Sequence, residues 1–393
     1  MGKPVLLSVC RTPGGKFGGS LKGLEAPDLG AAALKEAVKR SGVSPEDIGE
    51  VIMGNGWQSG VGANPARIAM FRAGLPESIP AYTINKRCGS SLKTVMLAAD
   101  KIRLGDMKAA AAGGMESASN VPYILPDARW GFRMGEKKAV DVLHKDGFHC
   151  PLADMLMGAT AEVLNEEYSI SRQEQDEYAL NSHRKAAAAI KDGRFVSEIV
   201  PVEVKDRKKG VIVFDTDEIP REDTSLESLG KLPAIFKKDG TITAGSSSAL
   251  CDAGSAAIVA DSDWAKANGY KPLAEIVGYA SGALDAVHMG LGPTVAMPLA
   301  LERAGMTMDD MEIIEINEAF SGQIIACHRV MKFDMDKLNP CGGAIALGHP
   351  IGATGAKVLA TLVYSLKAQN KEFGIVSACI GGGQGVAMVV RNL

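Results

Sequence analysis

The sequence predicts an α/β fold in which two similar halves stack their sheets and helices in layers, with a loop domain inserted between them. Two observations predict this architecture. Residues 26–55 and 290–318 each show a helix pattern, a short break and a buried strand, and they align at an offset of 263 positions. The middle of the chain is polar and lysine-rich, which is typical of a segment that covers a core.

The bounds of the two halves and the loop domain are predicted from the positions where the composition of the sequence changes. We expect a first half made of residues 1–117 together with 246–270, a loop domain at 118–245, and a second half at 271–393. The apolar patch before Arg11 is predicted to be the first strand, ending in a glycine-rich turn.

The elements within the parts are predicted from the spacing of their apolar residues. In each half a helix precedes a strand, APDLGAAALKEAVKRSG before GEVIMGN and GPTVAMPLALERAG before MEIIEINE. In the loop domain a charged helix is expected at 171–195, with strands at 198–206 and 211–215. A strand within TITAGSSSALCDAGSAAIVA then returns the chain to the first half.

Composition excludes several classes of function. With 393 residues, 46% of them hydrophobic, the chain can bury a sizeable core, and its net charge of −3 creates no field that attracts nucleic acid. The start has no leader pattern and no run of about twenty apolar residues occurs, so no membrane association is expected. Seven cysteines without a CxxC pair predict reduced thiols in a cytoplasmic protein, and neither a structural zinc site nor another metal is expected.

Cys88 stands where irregular backbone gives way to a helix. The small residues Gly89, Ser90 and Ser91 follow it, and then apolar residues recur at helical spacing. A helix start favours an anion, and Lys86 and Arg87 add positive charge, so the thiol is predicted to ionise more easily than a free one. Cys88 is therefore a candidate nucleophile, and the alternative is a buried structural cysteine.

Three further residues are candidates for the same chemistry. His349, in GHPIGATG, lies near the position that matches Cys88 in the repeat, and a histidine there can take the proton of a thiol. Cys379 ends a strand before a glycine hairpin whose N–H groups can face an oxygen, which suits a proton carrier. Asn317 ends a strand and can hold a water. The alternatives are a structural histidine and a strand-end turn.

Four motifs together resemble the thiolases, the family of acetyl-CoA acetyltransferases and 3-ketoacyl-CoA thiolases. They are NKRCGSSLK, NEAF, GGAIALGHPIGATGA and CIGGGQG, in that order. The likeness extends over nearly the whole chain through RTPGGKFGGSL, AGGMESAS, DGRFVSEIVP and TAGSSSAL. It implies the layered αβαβα fold of that family.

The resemblance also implies roles for the candidate residues. Cys88 resembles the nucleophile that takes up the acyl group, His349 the base that activates it, and Cys379 the acid/base at the α-carbon. Asn317 resembles the residue that holds a water for one oxyanion site together with His349. The backbone N–H groups of Cys88 and Gly381 resemble the second oxyanion site.

The implied reaction joins two acetyl-CoA molecules into acetoacetyl-CoA and CoA through an acyl-cysteine, or runs in reverse as thiolysis. Coenzyme A thioesters are the substrates and no cofactor is expected. The family likeness suggests a homotetramer built as a dimer of dimers. The positions that resemble coenzyme A contacts are Arg221, Ser228, Ser248, Met157, Ala319 and Phe320.

Some residues depart from the family pattern. Leu156 stands where members that form acetoacetyl-CoA often have histidine, Arg87 replaces a more usual apolar residue, and Ser91 replaces glycine. A 3-ketoacyl-CoA thiolase for longer acyl chains therefore stays an alternative. A ketosynthase is disfavoured by Cys379, and a non-catalytic acyl-CoA binding protein by the presence of Cys88 and His349. A nucleotide-binding oxidoreductase is disfavoured because no GxGxxG follows the first strand.

Overall fold

The computed structural model of the protein describes residues 2–206 and 210–393. Its strands are β1 (Pro4–Arg11), β2 (Gly15–Lys16), β3 (Ile48–Gly54), β4 (Ala81–Ile84), β5 (Ala109–Ser117), β6 (Tyr123–Ile124), β7 (Val140–Asp141), β8 (His149–Cys150), β9 (Met155–Leu156), β10 (Val202–Asp206), β11 (Gly210–Phe214), β12 (Cys251–Asp261), β13 (Ala274–Ala283), β14 (Ile313–Ile316), β15 (Phe373–Ile380) and β16 (Gln384–Asn392). Its α-helices are α1 (Ala26–Ser41), α2 (Pro65–Arg72), α3 (Ser90–Leu104), α4 (Met157–Glu167), α5 (Arg172–Lys191), α6 (Leu226–Gly230), α7 (Ser262–Ala267), α8 (Gly292–Ala304), α9 (Ser321–Met331), α10 (Ala344–Leu347) and α11 (Thr354–Ala368).

The main sheet has an internal symmetry that matches the repeat in the sequence. Its strand order is β14-β15-β16-β13-β1-β12-β5-β3-β4. In the first half β3 pairs with β5 in parallel and β5 with β12 in antiparallel orientation, and β14, β15 and β16 repeat this arrangement in the second half. The halves join where β1 pairs with β13 through Val5 and Leu6. The predicted repeat is thus confirmed, with α3 matching α11 and α1 matching α8.

The layers form because each helix buries one apolar face. Between the halves, α3 and α11 pack against each other and against the strands of both, through Leu92, Val95, Leu359 and Leu362 among others. On the outside, α1 and α2 cover the first half and α8 and α9 cover the second. The predicted layered αβαβα fold is confirmed. Each central helix begins at the same end of the sheet, and this places the residues that precede them close together.

The loop domain contains the predicted helix and hairpin. Helix α5 is shorter than the predicted 171–195, because Ser171 forms its N-terminal cap with Glu174 and the helix ends at Lys191. The strands expected at 198–206 and 211–215 form a separate antiparallel pair, β10 and β11. Strand β10 is shorter than predicted and begins at Val202, because the Val200 N–H donates to the Arg11 carbonyl instead. Strand β12 returns to the main sheet between β1 and β5, as expected.

No helix among the described residues is both long enough and apolar enough to cross a membrane.

Candidate active site

The turn that carries Cys88 is held in an uncommon backbone conformation. Arg87 has a φ of +47°, and its N–H donates to the Asn85 Oδ1 at 2.9 Å. The Ser90 hydroxyl accepts from the Lys86 N–H at 2.8 Å and donates to the Arg87 carbonyl at 2.7 Å. These bonds set the 3₁₀ turn Arg87–Gly89 directly before α3, so Cys88 is fixed beside a helix start as predicted.

His349 lies next to this turn, although 261 positions separate it from Cys88. Its Nε2 is 3.2 Å from the Cys88 sulfur. Its Nδ1 is 2.7 Å from the Thr354 hydroxyl, which donates its single proton to the Pro350 carbonyl at 2.9 Å. The hydroxyl must therefore accept from Nδ1–H, which assigns the proton to Nδ1 and leaves the Nε2 lone pair facing the thiol. The imidazole is oriented as a base.

The charge state of the pair differs from the prediction. Burial, aided by the charge of Lys357, lowers the pKa of His349 to about 3. Burial also raises the pKa of the Cys88 thiol, although Arg87 and the N–H groups of Gly381 and Cys88 act in the opposite direction. The prediction that Cys88 ionises more easily than a free thiol was wrong, because the apolar surroundings outweigh the helix start. The Lys86 ammonium donates to the Gln384 side chain.

Cys379 approaches the same place from the other half of the molecule. It pairs with Gly385 near the end of the hairpin formed by β15 and β16, and it packs with Ala319, Phe320 and Met289. Burial raises its pKa well above the usual value, and the charge of a Cys88 thiolate adds to this. Cys379 therefore holds its proton tightly, which suits a group that donates a proton to carbon or removes one from it.

Asn317 follows β14 and lies close to the histidine loop. Its backbone N–H donates to the Ser377 carbonyl at 2.9 Å, and it lines a small cavity of about 20 Å³ together with Gly348 and Lys357. Both polar atoms of its side chain are buried and have no hydrogen-bond partner among the described residues. A buried amide in this state can bind a polar group.

Two adjoining cavities lead to the site and contain most of the predicted coenzyme A contacts. The outer cavity, of about 210 Å³, includes Arg221 and Ser228. The inner cavity, of about 360 Å³, includes Ser248, Met157, Phe320 and His349, and both cavities share Ala244, Ser247 and Ala249. Ala319 lies beneath them, where its carbonyl accepts from the Ser248 N–H at 3.0 Å.

Several residues that shape the site were not predicted from the sequence. Thr354 orients the imidazole, and the buried Lys357 ammonium donates to the Leu347 and Gly348 carbonyls at 2.5 and 2.9 Å. The carboxylate of Glu116 accepts from the Gly56 N–H in the first half and from the Gly352 N–H in the loop that carries His349. The motifs AGGMESAS and GATGA contain Glu116 and Thr354, so the sequence indicated the right segments. The residues next to them in the sequence do not show which side chain contacts a distant part of the chain.

Within 2–206 and 210–393, no group of three or more His, Cys, Asp or Glu side chains is placed to hold a metal ion.

The site brings a thiol and a neutral imidazole oriented as a base to the inner cavity, with a second buried thiol nearby. These are the groups that an acyl-transferring enzyme with a cysteine nucleophile needs. The family model "Thiolase, N-terminal domain" matches residues 5–263, and "Thiolase, C-terminal domain" matches residues 270–392. The chain belongs to the thiolase family, which confirms the resemblance inferred from its motifs.

Relatives and solved structures agree with this assignment. An acetyl-CoA acetyltransferase of Escherichia coli (strain K12) is 47% identical over 390 residues, which cover 99% of each chain. The crystal structure of the Bacillus anthracis acetyl-CoA acetyltransferase superposes with a TM-score of 0.97 at 41% identity, covering 100% of this chain and 99% of that one. The human mitochondrial 3-ketoacyl-CoA thiolase gives a TM-score of 0.97 at 40% identity, with the same coverage.

The raised pKa of Cys88 predicts how its reactivity depends on pH. Only the thiolate attacks iodoacetamide, so the alkylation rate should increase as the pH rises, with a midpoint above that of a free cysteine thiol. The rate at Cys88 is measured across the neutral and alkaline range by mass spectrometry of the peptide that contains it. A midpoint at or below that of free cysteine would contradict the burial argument.

Loss of the Thr354 hydroxyl should weaken the base. In Thr354→Val the Nδ1–H loses its acceptor, so the imidazole is free to rotate away from the thiol. We expect alkylation of Cys88 at neutral pH to slow about tenfold, equivalent to about 1.4 kcal/mol, near the upper range for one hydrogen bond. Thr354→Ser keeps the hydroxyl and serves as the matched control. Equal rates in the two variants would show that Thr354 does not orient His349.

Proposed function

We propose that this chain transfers an acetyl group between coenzyme A thioesters, joining two acetyl-CoA molecules into acetoacetyl-CoA and CoA, or catalysing the reverse thiolysis. The observation that carries this proposal is the contact of 3.2 Å between the Cys88 sulfur and the His349 Nε2, with His349 bordering the inner cavity. Two relatives that are named acetyl-CoA acetyltransferase, 47% and 48% identical to this chain, support the proposal.

In the first step Cys88 becomes acylated. Its sulfur attacks the thioester carbonyl carbon while its proton passes to the His349 Nε2. The N–H groups of Cys88 and Gly381 stabilise the oxyanion, and removal of one such donor typically costs about 2.7 to 4 kcal/mol of barrier. The carbon–sulfur bond to coenzyme A then breaks, and His349 gives the proton to the departing sulfur. The acetyl group stays on Cys88 and CoA leaves.

In the second step a carbon–carbon bond forms. Cys379 gives its proton to the His349 Nε2 and, as its thiolate, takes the α-proton of a second acetyl-CoA. The protonated Nε2 of His349 and a water held by Asn317 stabilise the enolate oxygen. The carbanion attacks the acyl carbon on Cys88, and the carbon–sulfur bond to Cys88 breaks. His349 gives its proton to the Cys88 thiolate and Cys379 keeps the α-proton, so both sulfurs and the imidazole return to their starting states. These residues and backbone groups account for every step, and no cofactor takes part.

Coenzyme A is proposed to lie along the two cavities. The guanidinium of Arg221 and the hydroxyl of Ser228 would meet the polar end of the molecule in the outer cavity. The pantetheine arm would run along residues 247–250, a strip that bridges to Phe320 on one side and to His349 on the other. Met157 and Phe320 would then contact the arm near the thioester.

Thiolysis of longer 3-oxoacyl-CoA substrates is the second candidate. The fold does not separate the two, because the human mitochondrial 3-ketoacyl-CoA thiolase has the same TM-score as the Bacillus anthracis acetyltransferase. The names of the relatives favour acetyl transfer. Leu156, which precedes α4 next to the cavity residue Met157, is where the pocket departs from the pattern of enzymes that form acetoacetyl-CoA.

Substitution of the two cysteines separates the two steps. Cys88→Ala should not be labelled by acetyl-CoA, because the nucleophile is absent. Cys379→Ala should still form the acetyl-enzyme but should neither make nor cleave acetoacetyl-CoA, because no group exchanges the α-proton. Labelling is measured by intact-protein mass and turnover by the absorbance of acetoacetyl-CoA.

Cys10→Ala is the matched control, since this buried thiol lies in the outer core of the first half and should leave both readouts unchanged. Full turnover by Cys379→Ala would contradict its proposed role, and labelling of Cys88→Ala would contradict the first step.

We also propose a homotetramer, built as a dimer of dimers, in the cytoplasm. All seven cysteines are unpaired, in agreement with a reducing compartment. The main sheet ends at the edge strand β4, which suits pairing with a second copy. A separate surface at 123–134 carries large exposed apolar side chains, with Trp130 85% and Met134 92% exposed.

The surface at 123–134 is predicted to join the dimers. Trp130→Asp combined with Met134→Asp places two charges there, so the assembly should separate from tetramer to dimer in sedimentation velocity. Leu104→Asp, at another exposed apolar position, is the matched control and should stay tetrameric. A double variant that remains tetrameric would refute this assignment.

A further inference from the structure

Arg87, one of the departures from the family pattern, connects the nucleophile turn to a second segment of the site. Its Nη1 donates to the Asp146 carbonyl at 3.0 Å, and its Nη2 donates to the Gly147 carbonyl. Both carbonyls belong to the π-helical turn Leu143–Phe148. The residue before the nucleophile therefore binds two successive carbonyls at the C-terminal end of that turn.

The turn Leu143–Phe148 contributes Phe148 to the wall of the inner cavity, and its Leu143 and Phe148 belong to the apolar cluster that includes Cys88. Gly147 packs directly on Trp57, since a Cβ at Gly147 would lie 2.4 Å from the indole. The ring of Phe148 meets Trp57 edge to face at 5.9 Å and 71°. Phe148 lines the inner cavity together with Met157, His349 and Ile351. A shift of this turn would move Phe148 relative to the imidazole.

Arginine suits this connection for two reasons. Its planar guanidinium directs several N–H groups in a fixed fork, so a single side chain can hold two neighbouring carbonyls. The guanidinium also lies next to Gly381, whose N–H is proposed to belong to the second oxyanion site. A Cβ at Gly381 would lie 3.1 Å from the Arg87 Nε. The Arg87 side chain therefore connects three parts of the site: the turn that carries Cys88, the turn at Gly381 and the turn Leu143–Phe148.

We propose that Arg87 is a positioning residue that fixes the wall formed by Leu143–Phe148 and thereby makes the acyl site selective for short acyl groups. This inference rests on the proposed function and deepens it. An apolar pocket discriminates by its volume, and one methylene typically changes kcat/KM by about 10- to 200-fold. That discrimination is kept only if the wall cannot move outward, and the two hydrogen bonds from Arg87 hold it in place.

The positive charge of Arg87 has a separate effect that the test must distinguish. The charge lowers the pKa of Cys88 and so changes the reactivity of the thiol towards every substrate alike. The position of the wall changes the ratio between substrates of different length. The ratio of kcat/KM for acetoacetyl-CoA to kcat/KM for 3-oxohexanoyl-CoA in thiolysis is therefore the informative measurement.

Arg87→Leu removes both hydrogen bonds and the charge, and we expect this ratio to fall about tenfold. Arg87→Lys keeps the charge but has no fork, so the ratio should fall similarly while the pH midpoint of Cys88 alkylation stays at its wild-type value. Phe148→Ala removes the wall directly and should lower the ratio in the same direction. The double variant Arg87→Leu with Phe148→Ala should have a ratio little lower than that of Phe148→Ala alone, because both substitutions act on the same wall.

Arg103→Leu is the matched control. Arg103 also donates to two successive backbone carbonyls, those of Ile276 and Val277 at 3.4 and 3.2 Å, but on the far end of α3 from Cys88. Its loss should leave the ratio unchanged. Circular dichroism establishes that each variant is folded before its kinetics are compared.

The possible failures are distinguishable. If the wild-type enzyme cleaves acetoacetyl-CoA and both Arg87 variants keep the wild-type ratio, with equal losses for both substrates, the inference is refuted and the proposed function stands. A fall of the ratio in Arg87→Leu but not in Arg87→Lys would assign the effect to charge and would also refute it. A wild-type enzyme inactive towards both substrates would refute the proposed function, and the inference with it.

Discussion

The buried carboxylate of Glu116, at the end of β5, is the interaction on which the geometry of the site depends. Its Oε1 accepts from the Asn55 side chain and the Trp57 N–H at 2.7 and 3.2 Å, and its Oε2 accepts from the Gly56 and Gly352 N–H groups at 2.9 and 2.8 Å. Gly352 follows His349 by three residues, so one carboxylate ties the histidine loop to the first half. Burial raises the pKa of Glu116 to about 7, against the stabilising effect of these N–H groups.

Around this carboxylate the halves approach so closely that side chains are excluded. A Cβ at Gly114 would lie 2.0 Å from the Gly352 carbonyl oxygen, which only glycine avoids. Ser91, which departs from the family glycine, fits nearby because its hydroxyl accepts from the Ala356 N–H at 2.9 Å. That N–H belongs to the first turn of α11 and has no partner within its own helix. The substitution thus adds a bond between α3 and α11, the two central helices.

The sequence was sufficient to predict the fold, and its local patterns selected Cys88 and His349, whose sulfur and Nε2 lie 3.2 Å apart in the structure. The repeat at 263 positions predicted two matching halves, and small residues before apolar helices marked Cys88 and His349. The ionisation of Cys88 was predicted wrongly, since the burial of a thiol depends on segments far away in the chain. The roles of Thr354 and Glu116 were missed for the same reason: their partners are set by tertiary packing.

The electrostatics of the histidine loop keep both members of the Cys88–His349 pair uncharged, which the proposed acyl transfer has to accommodate. Burial lowers the pKa of the His349 imidazole, and the charge of Lys357, which lies beneath the loop and holds the carbonyls before His349, acts in the same direction. His349 is therefore neutral and available as a base at neutral pH. In the proposed first step, burial and this charge disfavour the imidazolium once it has taken the thiol proton, which favours passing the proton on to the departing sulfur of coenzyme A. The Thr354 hydroxyl keeps the ring oriented during both transfers. In the proposed mechanism, the low proton affinity of the neutral imidazole therefore favours completion of the step in which CoA leaves.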